Sequence, residues 1–175
     1  MATTVSQRIT LEIKTTEVGS GDLGDTRKTH IFNHEGAAGA NFKVFPTGTT
    51  DASLQQDLVY SDTIALAAGT AILDLTAVLT DIQGTAMSFD TITAITVKNL
   101  SSASGELLKV GAGSNPLLNW IIATGDGVQV GPLGAFHISS PLDGYAVTAT
   151  TGDVLTFDSG AATFNIDVVI HGRSS

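Results

Sequence analysis

Apolar and polar residues alternate with a period of two along most of the chain, the period of strands that bury one face. Ile9, Leu11 and Ile13 alternate with Thr10, Glu12 and Lys14, which predicts a half-buried strand near the start. Residues 18–27 (VGSGDLGDTR) read as a Gly/Asp loop, 29–33 as a short strand, and 36–40 (GAAGA) as too glycine-rich to be one. In 58–66 (LVYSDTIAL), Leu58, Tyr60, Asp62, Ile64 and Leu66 share a face, and a strand over 70–75 follows a turn at Ala68 and Gly69. Leu75, Leu79 and Ile82 fall at i, i+4 and i+7 ahead of Gly84, so the spacing predicts a short helix or 3₁₀ turn there. Strands then resume. The run 92–97 is expected to be covered on both faces.

Further short strands are predicted at 107–110, 120–123, 128–130, 135–139, 145–149, 154–157 and 163–170. Gly111 to Pro116, Pro132, Pro141, Thr151-Gly-Asp153 and Asp158-Ser-Gly160 punctuate them. Roughly eight to ten short strands with turn signals every 8–12 residues predict an all-β fold, an antiparallel β-sandwich or barrel. The expected organisation is one domain over 1–175, with an N-terminal arm at 1–7 and a long loop region at 18–50.

Composition sharpens this picture. A chain of 175 residues suffices for one domain that buries roughly 68–70% of its unfolded surface. It has no Cys, which excludes a disulfide scaffold, cysteine-ligated metals and a cysteine nucleophile. Charged residues make up 14% of the chain, against about 25% in ordinary domains, and the mean hydropathy is +0.25. A spanning helix does not explain that value. The most apolar stretch, 63–73 (TIALAAGTAIL), lies between Asp62 and Asp74 and contains Gly69, whereas a span needs about 20 apolar residues. The first residues show no apolar core behind basic ones, so a cytoplasmically made, soluble protein is expected. Sparse charge then implies surface covered by partners, and the isolated subunit is expected to be oligomeric or aggregation-prone.

The net charge of −9 bears on which partners. No Lys or Arg occurs between Lys43 and Lys98, or between Lys109 and Arg173, while Asp recurs through both gaps. Nucleic-acid affinity comes largely from Lys and Arg neutralising phosphates. Direct DNA or RNA binding is not expected.

Candidate chemistry is thin. His137-Ile-Ser139 with Asp143 supplies the residue types of a serine hydrolase, but G-x-S-x-G is absent and His137 alternates as an outward strand residue should. His30 and His34, with Glu35 beside them, could form a two-histidine metal edge, yet no zincin spacing completes it. All four His, with His171, are expected to be solvated surface residues. The Gly/Asp loops at 19–25 and 125–127 lack the EF-hand spacing and read as turns. The 111–116 segment lacks the third glycine of a phosphate cradle. Asn99-Leu-Ser101 matches a glycosylation sequon, which carries meaning only in a secreted protein. No catalytic residue, metal or cofactor is assigned.

One resemblance rests on order and pattern. Its carrying segments are Gln56 to Thr63 (QDLVYSDT), Leu66 to Thr70 (LAAGT), Leu73-Asp-Leu75, Asp81-Ile-Gln-Gly84, Phe89 and Ala94 to Asn99 (AITVKN). They continue through Leu133-Gly-Ala-Phe136, Ser140-Pro141, Gly144 to Ala149 (GYAVTA), Thr151-Gly-Asp153 and Asp167 to Gly172 (DVVIHG). From about residue 56 onward the chain resembles small all-β virion proteins of tailed bacteriophages and prophages, including head decoration (cement) proteins. That resemblance implies a jelly-roll-like domain, often trimeric, seated on the exterior of an assembled capsid. Its partners would be the major capsid protein and copies of itself, with no membrane and no cofactor. A tail, fibre or head-fibre component with an adhesive or carbohydrate-binding role is the alternative. Contacts are expected from loops and arms: Leu23 and Arg27 in the Gly/Asp loop, and Asn115, Leu117, Leu118 and Trp120 near the single Trp.

Overall fold

The computed structural model describes residues 15–19, 26–30 and 55–174, apart from 78, 82–83, 85, 118–119 and 121–124. The chain divides into two compact units, one over Ser6–Phe45 and one comprising Met1–Val5 and Pro46–Ser175. In the first, β1 (Thr15–Gly19) and β2 (Thr26–His30) pair antiparallel, with Val18 opposite Arg27 and Gly19 opposite Thr26. The expected loop region thus begins within a strand. The arm at 1–7, the strand at 9–13 and the rest of the loop region lie outside the described residues.

Among its described residues the second unit contains strands and loops and no helix. Its elements are β3 (Leu58–Ala67), β4 (Thr70–Asp74), β5 (Leu79–Thr80), β6 (Ala86–Met87), β7 (Thr91–Asn99) and β8 (Leu108–Gly111). They continue with β9 (Gly127–Val130), β10 (Ala135–Ser139), β11 (Tyr145–Ala146), β12 (Val154–Asp158) and β13 (Thr163–Arg173). One sheet has the order β10-β7-β13-β3, with β11 also on β7, and a second has the order β4-β12-β8-β9. The pairings are nested: β3 with β13, β4 with β12, β7 with β10, β8 with β9, all antiparallel. Four nested hairpins wound across two sheets are the wiring of a jelly roll. The predicted antiparallel sandwich is what the chain forms.

Alternation decides which face turns inward. Along β13, Phe164, Ile166, Val168 and Ile170 are buried, and Leu66, Tyr60, Val97 and Ile95 join them from β3 and β7. Leu155, Phe157, Leu108, Val110 and Val130 of the other sheet belong to the same core cluster. Each fully buried side chain of this size contributes roughly 1.5–3 kcal/mol relative to exposure. In β7, Ile92, Thr93, Ala94 and Ile95 are all buried, so this stretch is covered on both faces as its sequence predicts.

The ribbon of β3–β4 against β13–β12 crosses from one sheet to the other at a corner. Ala67 faces Thr163 and Thr70 faces Asp158, so two residues turn on the inside and four on the outside. Ala68 and Gly69 adopt positive φ there, 50° and 149°. Ser159 fastens the corner: its amide and hydroxyl donate to the Gly69 carbonyl, and its hydroxyl also reaches the Ala162 carbonyl.

The expected helix after Leu75 is absent from the described residues. The Leu75 amide donates to the Asp153 carbonyl at 2.7 Å, and the Leu75 carbonyl accepts from the Phe89 amide at 2.8 Å. Leu79 pairs with Met87 across β5 and β6. Gly84, at φ 83° and with its amide on the Asp81 carbonyl, serves a turn between these strands and not a helix end. Long-range pairing overrides a spacing that suits either structure.

Candidate functional surfaces

Three places concentrate polar chemistry. The first is the outer face of the five-stranded sheet. Outward residues of β10, β7 and β13 alternate with the core residues, which brings His137, Thr96 and Val169 into one row. His137 Nδ1 lies 2.8 Å from the Thr96 hydroxyl. Two positions along, His171 stands opposite Ala94 and is buried, 9% exposed, with Nδ1 lacking a hydrogen-bond partner. His171 therefore departs from the expected surface histidine. Burial, and secondarily the charge of His137, lower its pKa to about 4.

A threonine hydroxyl against an imidazole is half of a nucleophile–base pair. The other half of acyl-transfer chemistry is a set of free backbone donors for an oxyanion. β7 is paired on both sides at this height, so its amides are spent in the ladders. Ser139 lies two positions further along the same strand pair, opposite Ala94, and Asp143 is exposed in the turn after Pro141. The row does not assemble a hydrolytic site. Among the described residues, no group of three or more His, Asp or Glu is placed to hold a metal ion. His30 ends β2, while His34 and Glu35 lie outside the described residues.

The second place is the end of the sandwich closed by Arg173. Its guanidinium is buried at 1% exposure, with Nε donating to the Gln55 carbonyl and Nη2 to the carbonyls of Pro141 and Leu142. The neighbouring Ser174 binds the Asp57 carboxylate through amide and hydroxyl. A buried cation must be hydrogen-bonded, and here the bonds tie two separate segments, 55–57 and 141–142, to the end of the last strand. Nothing in the sequence marks this Arg, which stands alone in a long acidic stretch. Asn99 does similar work at the other end. It is fully buried, donates to the Glu106 and Val130 carbonyls and accepts from the Ser101 amide. Its side-chain nitrogen is therefore committed, and the sequon cannot be modified in the folded chain.

The third place is the expected contact segment. Asn115 is exposed at a turn with φ 50°. Leu117 is 1% exposed and belongs to the core, with its amide on the Val154 carbonyl, so it presents no contact surface to a neighbour. Trp120 is half-buried in a bend, with its indole N–H on the Leu117 carbonyl and its ring 5.6 Å from Phe136. Its face is turned to the chain's own interior, which favours an anchor over a sugar platform. The predicted strand at 120–123 is not seen at Trp120, and 121–123 lie outside the described residues. Leu118 and Leu23 lie outside them as well. Arg27 pairs with Val18 in the hairpin.

No protein-family model, no curated protein and no solved structure matches the chain.

Proposed function

We propose that the chain is a virion structural protein, a capsid decoration or cement protein that binds the assembled head shell and stabilises it by non-covalent contacts. Its partners are the major capsid protein and copies of itself, with a trimer as the working assembly. The observation that carries this reading is a jelly roll with a broad, charge-poor outer face. Ser61, Thr63, Ala65, Ala135, Thr163 and Asn165 are exposed there, and the charges among them are Lys98 and Asp167, directly opposite one another. Interface cores are depleted in charge, and a stable contact needs about 800 Å² per partner. Small hydroxyl and methyl side chains supply such an area at low entropic cost.

Binding that discriminates the assembled shell from free subunits stabilises the shell by mass action. Co-sedimentation measures this preference. The purified chain is expected to pellet with mature shells at saturable stoichiometry and to remain in solution with unassembled capsid subunits. Equal binding to both, or to neither, contradicts the reading.

A further inference from the structure

β3 and β4 are each the last strand of their sheet, so no described strand pairs with their outward N–H and C=O groups. The side chains are open too. Residues 61–63 are exposed, Ile72 is 63% exposed, and Ile64, Ala71 and Leu73 are only partly buried although they pack on the core. Between the two edges lies a depression of about 340 Å³, lined by Tyr60, Asp62, Ile72, Leu73, Asp74 and Leu79.

Charge selects the occupant. β3 and β4 contain no Lys or Arg but carry Asp62 and Asp74. Asp62 accepts from the Tyr60 hydroxyl and the Thr63 amide. Asp74 accepts from the amides of Thr76 and Ala77 and the Thr76 hydroxyl, which hold its carboxyl below the usual range. Neutral donors orient both carboxylates without cancelling their charge. The Tyr60 phenol registers it: burial and then the Asp62 charge push its pKa up to about 12. The exposed cations of the sandwich lie elsewhere, Lys98 opposite Asp167 and Lys109 opposite Asp158.

We propose that this edge docks an extended segment of a partner protein in which Lys or Arg alternates with aliphatic residues. The segment's main chain extends the β4 sheet and its aliphatic side chains pack on the inner face against Leu73, while its cationic side chains lie on the outer face, stems over Ile72 and heads at Asp74, with Asp62 on the neighbouring β3 edge adding to the negative potential that selects them. A second copy is the poorer occupant. Residues 46–175 carry three Lys and Arg against twelve Asp and Glu, so a second copy has little positive charge to set against Asp62 and Asp74 at this edge. The proposal is independent of the particle site at which the protein acts. Its rival is that the two aspartates only guard an open edge against self-pairing.

Titration of the isotopically labelled full chain with capped synthetic peptides separates the two. One peptide alternates valine with lysine, and the other alternates valine with glutamate. The lysine peptide is expected to bind with amide shifts confined to β3, β4 and β5, and the glutamate peptide not to bind. Asp62→Asn and Ile72→Lys, both at exposed positions, should each weaken the lysine peptide at least tenfold with an unchanged melting temperature. Shifts scattered over distant acidic loops, equal binding of both peptides, or variants that bind like the parent would overturn the proposal. So would a parent that ignores both peptides while Asp62→Asn self-associates, the outcome expected of a pure edge guard.

Discussion

At the scale of single residues, the energetics turn on a few polar groups that burial leaves committed or stranded. His171 is the sharpest case. Unfolded, it takes a proton near its ordinary pKa of 6.5; folded, it takes one only near about 4. Between these values the unfolded state holds more protons, so the contribution is complete above pH 6.5 and is lost as pH falls towards 4. The difference corresponds to roughly 3 kcal/mol over that window. Denaturant melts across pH 4–7 should show the parent losing that stability on acidification relative to His171→Asn, whatever the variant costs at neutral pH. Parallel pH profiles for the two proteins contradict the assignment. Sequence pattern could not reveal this residue, because position 171 alternates onto the outer face, where a histidine is ordinarily wet. Arg173 and Asn99 are equally unmarked in the sequence. Their importance comes largely from carbonyls distant in sequence, Pro141 and Leu142 for Arg173 and Val130 for Asn99.

At the scale of elements, alternation made the long strands readable. β3, β7, β10, β12 and β13 fall where the period of two places them, because one face of each must meet the same core. The segment after Leu75 forms no helix among the described residues because i, i+4, i+7 spacing also arises when a chain leaves one strand, turns and enters another. The partners that decide, Asp153, Phe89 and Met87, are not local. Nor does alternation announce the irregularity in β13, where the register with β7 shifts between His171 and Gly172. Gly172 sits there because nothing larger fits: a Cβ would lie 2.3 Å from the Thr91 carbonyl oxygen and 2.6 Å from the Phe89 ring. Backbone cannot yield as a flexible side chain can. Gly172→Ala is expected to cost about 2 kcal/mol or more, read as a lower urea midpoint at unchanged slope. A midpoint equal to the parent's would show that the strand end relaxes freely.

At the scale of the whole molecule, the charge-poor composition and the jelly roll lead to one reading. The whole net charge of −9 lies in residues 46–175, while residues 1–45 balance five Lys and Arg with five Asp and Glu. The fold was accessible from the sequence as a sandwich; its nested wiring was not, since pairings such as β3 with β13 span more than a hundred residues. The candidate surfaces were barely accessible, because a broad neutral face and an open edge are properties of neighbouring strands and leave no motif in any one of them. The proposed function places this sandwich on an assembled shell. Cryo-electron microscopy of the intact particle tests that most directly. Density for the sandwich is expected on the outer shell surface, at capsomer junctions and in copies related by the local symmetry. Particles that carry the chain only in the tail, or that lack it altogether, would contradict it.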